Sequence, residues 1–301
     1  MDRRQFVAQT MAGSVLLSAG GLSLGSCSDR KKHLTVLHTN DVHSHIDPFP
    51  VDHADFPGLG GLARRAGLVQ SIREENPNTL LLDAGDIFQG TPYFNFYGGE
   101  LEFKLMSKLK YDASTIGNHD FDNGIDGLLA QIPYASFDFL IANYDFSNTV
   151  LDGYTKPYKT YLRDGIKVGI YGIGIQLAGL VTKKLYKETE YLDPYEIALD
   201  METQLRETEK CDVVICLSHL GYSYENENKP DDLTLAQRTQ HTDLIIGGHT
   251  HTFLERPTIV TNAGGRDILV NQVGCFGVNL GRIDFYFDAD GAKAQGVTIS
   301  V

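Results

Sequence analysis

The run Thr79-Leu80-Leu81-Leu82-Asp83-Ala84-Gly85-Asp86 decides how the chain is read. Its first half is short, apolar and β-rich, the pattern of a strand. Its second half turns at a glycine and presents a carboxylate. A potential ligand just after an apolar run recurs four times: Asp41-Val42-His43 follows the apolar residues 34–37, and Gly117-Asn118-His119-Asp120 follows residues 113–116. Ser218-His219 follows residues 213–217, and Gly247-Gly248-His249-Thr250-His251 follows residues 244–246. Sites in open α/β sheets form outside the carboxyl ends of strands, so five such loops can converge at one edge.

Farther out, β-rich runs recur at residues 139–142, 168–173, 268–273 and 283–287. Helical patterns lie between several of them. Leu62, Ala66, Val69 and Ile72 share one helical face, and Asp193-Pro194-Tyr195-Glu196 has the cap, proline and acid of a helix start. Ile197, Met201 and Leu205 then repeat every four residues. Strands alternating with helices predict an α/β fold. There is no internal repeat and no linker long enough to separate a pair of domains. The long polar loops at residues 44–60 and 222–232 are the kind that carry function.

The 301 residues are 42% hydrophobic, enough for a sizeable core. With 26 Lys+Arg against 39 Asp+Glu, the net charge of -13 argues against a nucleic-acid-wrapping protein. It leaves anionic substrates open, because bound metal ions supply positive charge locally. The 31 glycines imply many tight turns.

Residues 1–27 read as an export segment. Arg3 and Arg4 sit in a stretch, Asp2-Arg3-Arg4-Gln5-Phe6-Val7, that resembles a twin-arginine motif; an ordinary secretory signal is the alternative. The mildly apolar residues 12–25 are too short to span a bilayer, which takes ~20 helical residues. Leu24-Gly25-Ser26-Cys27 looks like a bacterial lipobox, so Cys27 is the expected lipidation site of an envelope lipoprotein, periplasmic or surface-exposed. Three cysteines follow, Cys211, Cys216 and Cys275. The odd spacing of the first two points them to opposite strand faces, and free buried thiols are expected rather than a disulfide or metal role.

Residues i and i+2 of extended chain point the same way, which turns Asp41 with His43, and His249 with His251, toward one ion. Asp41, His43, Asp86, Asn118, His219, His249 and His251 make seven ligands, enough for two four-coordinate ions if one carboxylate bridges. Imidazole and oxygen donors without thiolate suit two divalent ions, Zn or Mn first, with Fe or Co as alternatives. His33, His38, His45, His53 and His241 read as surface, core or supporting residues. Phe88, Tyr93, Phe94, Phe96 and Tyr97 read as core packing, with base stacking as the alternative.

The five stretches, taken in order, resemble the calcineurin-like metallophosphoesterases. Within that family they are most similar to the catalytic domain of bacterial 5'-nucleotidases and UDP-sugar hydrolases. The matching residues include Leu37-His38-Thr39-Asn40-Asp41-Val42-His43, Asp83-Ala84-Gly85-Asp86-Ile87-Phe88-Gln89-Gly90-Thr91 and Gly117-Asn118-His119-Asp120-Phe121-Asp122. The resemblance covers residues 33–290 and implies a four-layer α/β/β/α sandwich with two central mixed sheets. It implies that Asp41, His43, Asp86 and His251 hold one metal, and that Asp86, Asn118, His219 and His249 hold the other. His119 and Asp122 match the family's catalytic dyad. Asp120 stands where Glu is common, and His251 where some members carry Gln.

The implied chemistry is hydrolysis of phosphate esters, nucleotides above all. Two ions offset the substrate's charge and lower the pKa of bound water, so that hydroxide attacks while His119, oriented by Asp122, stabilises phosphoryl oxygens or protonates the leaving group. Full-length relatives carry a further substrate-binding domain, which is expected to be missing from residues 28–301. A stand-alone phosphohydrolase, the catalytic half of a split 5'-nucleotidase with a separate substrate-binding subunit, and a non-enzymatic metal-binding lipoprotein remain open. A sulfur-substrate hydrolase is more remote.

Overall fold

The computed structural model describes residues 32–226, 228–288 and 291–301. The export segment, with Cys27, lies outside the described residues. In chain order the strands are β1 (Lys32–Thr39), β2 (Thr79–Asp83), β3 (Ala113–Ser114), β4 (Asp138–Phe139), β5 (Tyr144–Asp145), β6 (Tyr158–Arg163) and β7 (Ile166–Ile173). They continue with β8 (Glu190–Tyr191), β9 (Val213–Ser218), β10 (Leu244–Ile246), β11 (Thr258–Thr261), β12 (Asp267–Asn271), β13 (Asn279–Asp288) and β14 (Gly291–Ser300). The helices are α1 (Leu62–Glu75), α2 (Pro92–Tyr97), α3 (Glu100–Leu109), α4 (Gly124–Gln131), α5 (Lys183–Tyr186), α6 (Pro194–Thr203) and α7 (Asp232–Arg238).

Two six-stranded sheets form, in the orders β14-β13-β1-β2-β3-β4 and β11-β12-β10-β9-β7-β6, with β5 and β8 as a separate pair. Each large sheet is mixed. The β1-β2-β3-β4 and β12-β10-β9-β7 pairings are parallel, and the flanking pairings are antiparallel.

The two-residue period of the strands sorts their side chains into three apolar layers. Leu34, Val36, Leu80 and Leu82 from one sheet meet Val213, Ile215, Leu217, Leu244 and Ile246 from the other. Their neighbours Leu37 and Leu81 point outward to Val69 and Ile72 of α1 and Phe103 and Met106 of α3. Val214, Cys216 and Ile245 point outward to Ala198 of α6 and Leu235 of α7. Helix, sheet, sheet and helix are therefore stacked as the sequence resemblance implied. Because both faces of the central strands are covered, their sequences read as continuous apolar runs.

The expected helix start at Asp193 holds. The Asp193 carboxylate accepts from the amides of Tyr195 and Glu196. The buried residues of α6 are Pro194, Ala198 and Glu202, with Leu205 in the wider turn that follows, so Ile197 and Met201 lie only at its margin. Cys211, Cys216 and Cys275 are free and buried. The reason given for the first two is corrected: Cys211 precedes β9, strand alternation does not govern it, and both thiols join the same outer layer.

Ile215 is fully buried between the sheets. Ile215→Ala is expected to cost about 2–5 kcal/mol, read as a lower urea midpoint.

Candidate metal centre

Five loops leave the carboxyl ends of parallel strands and meet. Asp41 lies two residues past β1, Asp86 three past β2, Asn118 four past β3, His219 directly after β9 and His249 three past β10. Asp41, His43 and His251 form one group and Asp86, His219 and His249 another, the ligand atoms of each within 4.8 Å of one another. Asp86 faces both: its Oδ2 is 3.1 Å from His219 Nε2 and 3.9 Å from His43 Nε2. His251 Nε2 is 3.5 Å from Asp41 Oδ1 and 3.0 Å from His43 Nε2. Asn118 Oδ1 is 2.7 Å from His249 Nδ1. All seven expected ligands are thus brought together.

The reason given for the i, i+2 pairs is corrected. Asp41, His43, Asp86, His249 and His251 are not extended: their φ values are 50, 47, 55, 73 and 52°, in the left-handed region. Such residues cost roughly 1–3 kcal/mol each and persist only where the surroundings fix them. Backbone bonds do so here. The amides of Asp41, His43 and Ser44 donate to the carbonyls of Gly85, Asp86 and Ile87 at 3.0, 3.0 and 2.8 Å. The His249 amide donates to both Asp41 carboxylate oxygens, at 2.9 and 3.0 Å.

Hydrogen bonds also fix which ring nitrogen faces the centre. His43 Nδ1 is 3.1 Å from the Phe88 carbonyl and His219 Nδ1 is 2.6 Å from that of Ala84. A carbonyl only accepts, so Nδ1 carries the proton in both rings and Nε2 is left to ligate. His219 Nε2 is buried without a well-directed hydrogen bond. Aimed at two carboxylates and a second imidazole, it is an atom that a cation would satisfy. These residues fit divalent metal.

The electrostatics agree. Burial opposes a charge on His219, but the Asp86 and Asp41 carboxylates prevail and raise its pKa to about 10. Hydrogen bonding to Asp41 and Cys275, against burial, raises His251 to about 10. Burial lowers His249 to about 4. Two carboxylates therefore pull protons onto neighbouring imidazoles wherever no other cation is at hand.

Asp120 ties two of the loops together. Its carboxylate accepts from the amides of Asp86, Ile87, Phe88 and Gly117 at 3.1, 2.9, 3.2 and 2.8 Å. Burial and the Asp86 charge raise its pKa to about 7. Gly117 is needed beside it, since a Cβ there would lie 2.2 Å from Asp86 Oδ1. His119 stands at the rim, its amide donating to Asp86 Oδ1 at 2.7 Å and its Nδ1 2.9 Å from Asp122 Oδ2. The Asp122 hydrogen bond raises its pKa against burial.

The other histidines lie outside both groups. His33 bonds Asp284, His38 is buried beside Asn271, and His241 faces Glu207. His45 and His53 join Phe49, Phe56 and Phe276 in an aromatic cluster built by the long loop at residues 44–60. Of the aromatic run after Asp86, Phe88 and Phe94 are core, as expected; Tyr93 bonds Asp47, and Phe96 and Tyr97 are exposed.

Sequence reasoning missed three supports. Asn40 donates to Asp41 Oδ2 at 2.7 Å and Gln272 to the Gly248 carbonyl at 2.7 Å. Phe276, with φ 59°, packs its ring against His43 and His251. Only Asn40 had a sequence signal, its place beside Asp41.

A family model described as Calcineurin-like phosphoesterase matches residues 34–253. Snake venom 5'-nucleotidase of Crotalus adamanteus is 34% identical over 280 residues, 86% of this chain and 46% of that protein. The 5'-nucleotidase precursor from Thermus thermophilus superposes with a TM-score of 0.79 at 34% identity, over 89% of this chain and 55% of that one. The calcineurin-like phosphoesterase YfkN from Bacillus subtilis gives 0.70 at 28% identity, over 90% and 91%. The chain spans about half the length of the curated relatives it matches.

Metal must displace the protons that His219 and His251, each with a pKa of about 10, hold at pH 7. Loading a stripped sample is expected to release protons and to weaken as pH falls, measured by calorimetry in buffers of different ionisation enthalpy. Asp120→Asn replaces an acceptor with a donor facing amides, so a stability loss of about 1–3 kcal/mol is expected in urea unfolding.

Proposed function

We propose a function from the premise that the chain belongs to the calcineurin-like phosphoesterase family. The reading is that it is a dinuclear-metal phosphohydrolase cleaving phosphate esters, those of nucleotides in the first place. One observation carries it: two ligand groups lie side by side with Asp86 facing both, and the His119–Asp122 pair, which belongs to neither group, stands beside them. A site kept only to bind metal has no use for that pair.

Asp41, His43, Asp86 and His251 would hold one ion, and Asp86, Asn118, His219 and His249 the other. Such ions supply positive charge to phosphoryl oxygens and acidify water near neutral pH. The protein contributes geometry and a proton. The strained loops fix the ligands before substrate arrives, and burial excludes competing water from Asp41, Asp86 and His219. Because Asp122 raises its pKa, His119 keeps its proton to higher pH than a free imidazole. It can hydrogen-bond a phosphoryl oxygen or protonate the leaving alcohol.

A second reading is that the chain acts as the catalytic half of a split 5'-nucleotidase, in which nucleotide turnover needs a separate substrate-binding subunit. In either reading we place the protein in the cell envelope, exported through residues 1–27 and anchored by lipid at Cys27. No helix among the described residues is long and apolar enough to cross a membrane.

The test is protein stripped and reloaded with Mn or Zn, assayed on AMP, UDP-glucose, p-nitrophenyl phosphate and its bis-ester. Turnover of AMP or UDP-glucose by this chain alone supports the first reading, and turnover of only the synthetic esters supports the second. Stoichiometric metal without turnover moves the protein to a non-enzymatic role. His119→Ala is expected to lower kcat by about 10²–10⁴ while metal content is kept; loss of metal would refute its role. Asp122→Asn removes what holds the His119 proton, so the alkaline limb of the kcat profile should move to lower pH.

A further inference from the structure

Strands β7 and β9 are parallel neighbours, with Ile173 opposite Ser218. Their following loops therefore leave the same edge as the ligand loops. The His219 amide donates to the Ile173 carbonyl at 2.8 Å, which sets residues 174–180 beside His219 and Leu220. A cavity of about 280 Å³ lies there, lined by Ile175, Ala178, Leu180, Tyr191, Leu220 and Lys229. A second, of about 140 Å³, shares Gln176, Ala178 and Tyr191 with it and extends the groove past Tyr144 and Tyr186.

The walls of the groove adjoin elements that carry residues of the reacting centre. Leu220 directly follows the ligand His219. At the other end, Tyr144 packs its ring 6.2 Å from Phe121, in the turn that carries His119 and Asp122. Leu185 of α5 lies against Gly124, two residues past Asp122. Lys229 extends its ammonium over the Tyr224 ring at 3.5 Å, and Tyr224 in turn donates to the Leu220 carbonyl at 2.7 Å.

The phosphate of an ester belongs at the metal-loaded centre, which leaves its organic portion to lie on the surface around that centre. The groove offers that portion apolar walls, the rings of Tyr191 and Tyr186, one amide at Gln176 that both donates and accepts, and two cations, Lys229 and Lys183. Few polar groups in a mainly apolar cleft are what orient a flat heterocycle. Its combined size lies in the range of small-ligand sites, roughly 300–1,000 Å³.

We propose that this groove, between residues 174–180, Tyr191 and Lys229, binds the base of a nucleoside monophosphate and so gives this chain nucleotide preference of its own. The proposal rests on the phosphohydrolase reading above and names its substrate pocket. AMP and ribose 5-phosphate share the same leaving oxygen and differ in the base, so their kcat/KM ratio isolates the groove. Ala178→Trp fills it from an exposed position, and Leu180→Asp puts a charge on its wall. Each is expected to lower the AMP to ribose 5-phosphate ratio at least tenfold, through KM. Adenosine, titrated into chelator-treated protein, is expected to bind saturably and to lose binding in Ala178→Trp. A ratio unmoved by both variants, or no adenosine binding to the unsubstituted protein, overturns the proposal. If neither ester is hydrolysed with Mn or Zn, the phosphohydrolase reading fails by itself. Adenosine binding and its loss in Ala178→Trp still decide the groove.

Discussion

Two carboxylates and the lone pairs of imidazoles are forced into one buried pocket, and the rest of the structure answers to their repulsion. Asp41 and Asp86 are 0% and 1% exposed, and His219 between them is fully buried. Buried charge of one sign is costly unless paired. Protons on His219 and His251 are one compensation, and divalent cations are the stronger one. The Nδ1 bonds to the Phe88 and Ala84 carbonyls commit His43 and His219 to present Nε2 and so favour the cation.

Holding the ligands against that repulsion demands a rigid frame. Five of them sit in left-handed backbone, a conformation that L side chains avoid. The frame is the edge of two face-to-face sheets whose inner layer is wholly buried, with Asp120 joining the loops after β2 and β3 through four amides. Strain at the centre is thus offset by apolar burial some way behind it and by hydrogen bonds immediately beside it. The aromatic cluster around Phe276 covers the side of His43 and His251, and the groove at residues 174–180 lies against Leu220, the residue after His219.

Much of this was legible in the chain because the central strands are buried on both faces. Apolar runs such as residues 213–217 need no partner to be recognised, and a ligand follows each of β1, β2, β3, β9 and β10 within one to four residues. Edge strands such as β6 and β14 were not legible. Tyr158–Arg163 is half-exposed throughout, and Gly291–Ser300 is built of Gly, Ala, Lys and Gln as much as of β-formers, so both are strands by virtue of their neighbours. The left-handed loops were not legible either. Asp-x-His suggested a shared ion for the right residues but through an extended geometry that the backbone does not adopt. Gln272 and Phe276, which support the ligands, lie far from any ligand motif in sequence, and only packing reveals them.

The central claim is that the two ligand groups hold two ions bridged by Asp86. Anomalous diffraction from crystals of the Mn-loaded protein tests it directly. The account predicts two peaks about 3.5–4 Å apart, one against Asp41, His43 and His251 and one against Asn118, His219 and His249, with Asp86 touching both. A single peak, or metal bound away from Asp86, would contradict it.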